Sequence, residues 1–163
     1  FKSFVVKYAD WAEAEKISVP QLYYYLQVSS EETDLRKFLE SKIHWTPGDV
    51  VPISVDVSMG ELTSLTTGST ILEKFQHVEL LWKYRNSISH EIRELGYGIK
   101  LPDDETPFYH SCEHKGCSYW ELVYPENFIY GIVKTSLSNL YAWCIENRYN
   151  PYETHTFGTL WVK

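Results

Sequence analysis

The stretch from Thr70 to Leu95 limits the fold more than any other part of this chain. Thr70 and Glu73 have the spacing of a capping box, and Gly96 supplies a stop. Between them Ile71, Phe75, Val78, Trp82 and Ile92 recur with a helical period. This predicts one long amphipathic helix with a stripe to bury. A second helix is predicted from Pro125, a residue suited to a first helical turn. It places Phe128, Ile129, Ile132, Val133, Leu137, Leu140, Tyr141 and Cys144 on one face and runs to about Tyr149, before Asn150-Pro151 ends it.

Weaker signals surround these two. Phe4, Val5, Tyr8, Trp11 and Ala12 have helical spacing, after which Pro20 interrupts. Gln21 to Gln27, with Tyr23, Tyr24 and Tyr25, reads equally as a short helix or a strand. Ser29 and Glu32 fit a capping box, and Leu35, Phe38 and Leu39 carry a helix to about Ile43, where Thr46-Pro47-Gly48 stops it. Val51, Ile53, Val55 and Val57 alternate as in a short extended segment. Residues 58 to 69 read as loop, residues 96 to 124 as a long connection, and Thr159 to Val162 as a short strand in a tail. The sum is an all-α fold: a single domain over 1–163, an up-and-down bundle of four to five helices with a long inserted loop or small hairpin.

Composition narrows the function classes. The chain has 163 residues and 44% hydrophobic content, which excludes disorder. A formal net charge of -7 argues against long-range capture of a nucleic-acid backbone and requires any phosphate contact to be focused in a cleft. The 3 Cys are an odd number in a chain of this size, which favours a reducing, cytoplasmic setting over a disulfide framework. No apolar run reaches the length of a membrane span, and no secretory leader is visible. The start at Phe1 reads as a processed end or as a piece of a longer protein.

Chemistry concentrates in Arg85-Asn86-Ser87-Ile88-Ser89-His90. A guanidinium can hold phosphate oxygens as a planar fork, and an imidazole can give or take a proton near neutral pH. Asn86 can bond to either of them or to a ribose hydroxyl. Asn86 and His90 share a helix face, whereas Arg85 and His90 diverge by roughly 140° on an unbroken helix. All three therefore converge only at a bent helix edge or with help from a second copy. Arg85 also falls within the angular range of the apolar stripe. The competing structural reading makes it a buried charge paired to Glu79 or Glu91.

An Arg, a polar residue directly after it, and a His five positions on, late in a long helix, resemble the motif of the HEPN superfamily. The resemblance covers roughly residues 70 to 149. It implies a dimerising helical domain and a metal-independent endoribonuclease acting on single-stranded RNA, with no cofactor. A ribose 2′-hydroxyl would attack the adjacent phosphorus, leaving a 2′,3′-cyclic phosphate and a 5′-hydroxyl. His90 would serve as general base or acid, Arg85 would stabilise the pentacovalent charge, and Asn86 would orient one of them. The resemblance further implies toxin or antiphage roles, with RNA and an antitoxin or other protein as partners. It also admits a silent module that binds a nucleotide or partner. A plain helical interaction domain is the reading outside nucleic-acid biology.

Other clusters are less specific. His110, Cys112, His114 and Cys117 are soft ligand types within eight residues, but their spacing is not a strong zinc pattern. Ordinary thiols and histidines around a tight turn at Lys115-Gly116 are the expectation there, with no bound metal. The three adjacent tyrosines point in different directions on a helix, which favours packing over base stacking. Ser87 and Ser89 lack the glycine-rich elbow of a nucleophilic serine.

Overall fold

The computed structural model describes residues 1–29, 33–65, 69–87, 105–114 and 116–154. In chain order the elements are α1 (Lys2–Tyr8), α2 (Val19–Ser29), α3 (Thr33–Lys42), β1 (Val50–Pro52), a 3-10 turn (Ile53–Val55), α4 (Met59–Leu62), α5 (Ser69–Glu73), α6 (His77–Asn86), β2 (Phe108–His114), β3 (Cys117–Val123), α7 (Glu126–Glu146) and α8 (Pro151–Thr154). The all-α bundle is therefore wrong. The three strands form an antiparallel sheet in the order β1-β2-β3, and the fold is mixed.

The sheet is part of the core and not an ornament on a bundle. Residues 108–123, read above as part of a long connection, form a hairpin in which Phe108 faces Val123 and His114 faces Cys117. Gly116 at its turn has φ +76, a left-handed conformation that glycine adopts without strain. β1 adds along β2, with Val51 opposite Tyr109. Val51, Ile53, Tyr109 and Trp120 then make a hydrophobic cluster of their own, joined by Trp45, whose ring stacks on Tyr109.

Two further clusters lie among the described residues. α2 and α3 bury Leu22, Leu26, Leu35 and Leu39 together with Leu62 of α4 and Leu72 of α5. Val5 of α1, Val78 and Leu81 of α6, and Phe128 and Ile132 of α7 form the other. Pro20, expected to interrupt, lies in the first turn of α2, where a missing N–H is tolerated. Residues 21 to 27 are thus helix. The segment 58 to 69, expected as loop, contains α4, which a reciprocal capping box between Ser58 and Glu61 opens.

The single helix expected from Thr70 to Leu95 is two helices as far as the described residues extend. Its interruption at residues 74–76 has a backbone cause. The Ser18 N–H donates to the Phe75 carbonyl (2.9 Å), the His77 N–H to Lys16 (3.0 Å) and the Val78 N–H to Ala14 (2.8 Å). These tertiary bonds pull Gln76 into extended geometry, with ψ 144. The break lets α5 face one cluster and α6 another, which no continuous helix would do. The segment from Ile88 to Leu95 lies outside the described residues, as does the strand expected at Thr159 to Val162. Among the described residues no helix is long and apolar enough to cross a membrane.

Candidate functional site

Arg85 and Asn86 form the last turn of α6. Lys83 and Arg85 place positive charge at the helix C-terminus and Glu79 places negative charge in its first turn, both in the sense the helix dipole favours. The backbone N–H of Ser87 closes the helix onto the carbonyls of Lys83 and Tyr84. His90, the third residue of the motif, lies outside the described residues.

Arg85 is not the buried structural charge that its wheel position suggested. Its angular position does match that of Val78 and Leu81. The buried apolar stripe ends at Leu81, however, and one turn further on Arg85 is exposed. Its Nη1 donates to Asn86 Oδ1 at 3.0 Å, and its guanidinium lies 5.2 Å from the centre of the Trp82 ring. Trp82 in turn contacts Phe1, with ring centroids 5.2 Å apart. Glu79, one of the two carboxylates considered for Arg85, is paired with Lys2 instead. Chemically this is an exposed guanidinium held by an aromatic face and a side-chain amide, adjacent to a half-buried Asn86. An Arg85→Ala protein should therefore keep its stability to within about 1 kcal/mol, the size of an exposed cation–π contact, as read from a denaturant titration.

At the other end of α6 lies a buried polar network that sequence reasoning missed. Asp56 and His77 are sealed from solvent, with His77 Nε2 2.7 Å from Asp56 Oδ2. The Val19 backbone N–H donates to Asp56 Oδ1 at 2.9 Å, so this carboxylate serves as a remote cap for α2. The Tyr109 hydroxyl lies 2.6 Å from Asp56 Oδ2 and 2.7 Å from Ser18 Oγ. With one hydrogen to give, it donates to the carboxylate and accepts from the serine. Tyr124 Oη lies 3.1 Å from His77 Nδ1 and donates to the His77 carbonyl. Burial, and then the charge of Asp56, push the Tyr109 and Tyr124 phenols well above the ordinary range, so both remain protonated donors. No substrate reaches these groups. Their role is to tie the three hydrophobic clusters together. Replacing Tyr109 by Phe should cost about 1–3 kcal/mol, because Asp56 loses a donor it cannot regain from water.

The Cys/His residues sit on the hairpin. His110 and Cys112 share one face of β2, with Glu121 of β3 directly opposite His110. His110 Nε2 is 3.4 Å from Glu121 Oε2, and both side chains are nearly buried. Burial, and then the neighbouring Glu121, raise the Cys112 thiol above its usual range, which makes it a poor thiolate. Cys117 is exposed, and Cys112, Cys117 and Cys144 are all free. The side chain of His114 lies outside the described ones. Among the described residues no group of three His, Cys, Asp or Glu side chains is placed to hold a metal ion.

The tyrosine cluster behaves as packing. The Tyr24 hydroxyl accepts the Trp120 backbone N–H at 2.7 Å, linking α2 to the sheet, and Tyr25 contacts Phe75. No family model, curated protein or solved structure matches the chain.

Proposed function

We propose that the chain cleaves single-stranded RNA without a metal ion, at a site built from Arg85, Asn86 and His90. The observation that carries this reading is the exposure of Arg85 together with its bond to Asn86. A structural arginine in that position would be buried against a carboxylate, whereas this one is exposed, with Nη1 on the Asn86 amide and the guanidinium beside the Trp82 ring. In the reaction the ribose 2′-hydroxyl attacks phosphorus and the P–O5′ bond breaks, the 2′-proton is lost and the leaving 5′-oxygen gains one, with His90 serving as base or acid in that exchange and Arg85 meeting the charge that builds on the phosphate oxygens. Asn86 holds the guanidinium in place for that contact. The reading rests on side-chain chemistry and on the resemblance of the motif, not on the fold, which is not the bundle that resemblance implied.

The test is incubation of purified protein with end-labelled single-stranded RNA in EDTA. The expected products carry 2′,3′-cyclic phosphate and 5′-hydroxyl ends, and an Arg85→Ala protein should form them about a thousandfold more slowly. Arg85→Lys should recover little, since a point charge does not replace a two-pronged donor. Wild-type protein that leaves RNA intact would overturn the proposal.

A further inference from the structure

β2 carries His110, Cys112 and His114 at alternate positions. In a loop this spacing is no strong zinc pattern, but on a strand alternate positions share one face. β3 returns antiparallel and sets Cys117 opposite His114, Tyr119 opposite Cys112 and Glu121 opposite His110. The end of the hairpin therefore gathers Cys112, His114 and Cys117, with a tight turn at Gly116 between the strands. Two of these side chains are described, Cys112 as half-buried and Cys117 as exposed. His114 takes its place from the backbone register alone. Cys112 and Cys117 are diagonal neighbours, a spacing of about 7–8 Å between Cα atoms. A disulfide needs about 4.4–6.8 Å, and both thiols are free. A metal ion suits the wider gap. Two thiolates each about 2.3 Å from one Zn²⁺ leave their Cβ atoms about 6–7 Å apart.

We infer that Cys112, His114 and Cys117 bind one Zn²⁺ at the end of the hairpin, with water as the fourth ligand. Thiolate and imidazole are the ligand types this ion prefers, and two residues of one strand with a third across the ladder approach it from three sides. Both sulfurs bind as thiolates and the imidazole binds neutral. Two protons therefore pass to solvent as the ion enters, and the two thiolates cancel its charge. Glu121, the other diagonal neighbour of Cys112, interacts with that thiol and adds negative charge beside the site. The ion would tie β2 to the first three residues of β3, which are exposed. The inference does not rest on RNA cleavage, and its readout is metal binding, not activity.

Titration of the reduced protein with Co²⁺, and then with Zn²⁺ against a chromophoric chelator, tests it. Co²⁺ should bind one per chain and give the near-ultraviolet band of thiolate-to-cobalt charge transfer, which Zn²⁺ then bleaches. Zn²⁺ affinity should fall more than about a hundredfold in Cys112→Ser, Cys117→Ser and His114→Ala, beyond the worth of a residue that only supports a ligand. It should stay at the wild-type value in Cys144→Ser. Cys117 is exposed, so its variant should keep the wild-type far-UV spectrum even if a change at the half-buried Cys112 disturbs the hairpin. Zn²⁺ should raise the melting point of wild type and not that of Cys117→Ser. Wild-type protein without the charge-transfer band would overturn the inference. So would Zn²⁺ affinity that survives any one of the three substitutions, the mark of adventitious surface binding.

Discussion

An Asp56→Ala protein is expected to lose at least about 4 kcal/mol of stability, and its melting point about 10 °C or more. The carboxylate accepts from three buried donors: the Val19 N–H, His77 Nε2 and the Tyr109 hydroxyl. Alanine leaves all three without a side-chain acceptor in a site sealed from bulk solvent. Each orphaned group costs about 1–3 kcal/mol, and removal of one member of a buried His–Asp pair costs about 3–5. These figures overlap because the groups share one network, so they do not add. Against a total stability of about 5–15 kcal/mol, the loss brings the domain close to unfolding at ambient temperature. Thermal denaturation followed by circular dichroism measures it. A variant melting within about 2 °C of wild type would mean that the network is dispensable.

The second large effect is on chemistry. His90→Ala should slow RNA cleavage by about a hundredfold to ten-thousandfold, the usual worth of a positioned proton-transfer group. The loss should appear in kcat, since the imidazole acts on the 2′-hydroxyl or the leaving oxygen and not on the binding of the strand. Single-turnover cleavage with excess protein isolates that step, and a filter-binding assay shows whether affinity is kept. Equal loss in His90→Ala and in the His90→Ala, Arg85→Ala double variant would mark the two as one catalytic unit. Cleavage by His90→Ala at the wild-type rate would remove histidine from the mechanism.

Local signals were legible where a helix depends on its own sequence. Pro125 opens α7 as its N-cap, and Leu35, Phe38 and Leu39 do lie in α3. α4 starts at a Ser58–Glu61 capping box that stands in the sequence inside a segment otherwise reading as loop. The sheet was harder to see. Phe-Tyr-His-Ser-Cys-Glu-His and Cys-Ser-Tyr-Trp-Glu-Leu-Val lack a clean alternation, because both faces of β2 are covered near its start: Phe108 and His110 on one, Tyr109 on the other. The extended segment read from Val51 to Val57 is a strand only at β1, Val50–Pro52, where it pairs with β2, and turns into a 3-10 helix from Ile53. The break before α6 is set by carbonyls and amides of residues 14–18, which no periodicity within 70–95 encodes. Asp56 and His77 stand 21 positions apart and show as a pair only once the chain has folded. The candidate site was legible at Arg85 and Asn86 as residue types, but not the exposure of the arginine, which depends on where the buried stripe of α6 ends.

The Asp56 network also governs how the molecule comes apart. Ser18 and Val19 stand at the start of α2, Val19 in the cluster of α2 and α3; Tyr109 lies in the sheet cluster, Tyr124 in the cluster beneath α7, and His77 opens α6 next to Val78 of that cluster. No cluster can open without stranding a partner of Asp56 in the others, so the three melt as a unit and not one by one. The Val19 amide proton, held on Asp56 Oδ1 and shut away from water, becomes a clock for that event. Its exchange with deuterium is expected to proceed only through global unfolding, while the first amides of α1, which have no intrahelical acceptor, exchange faster.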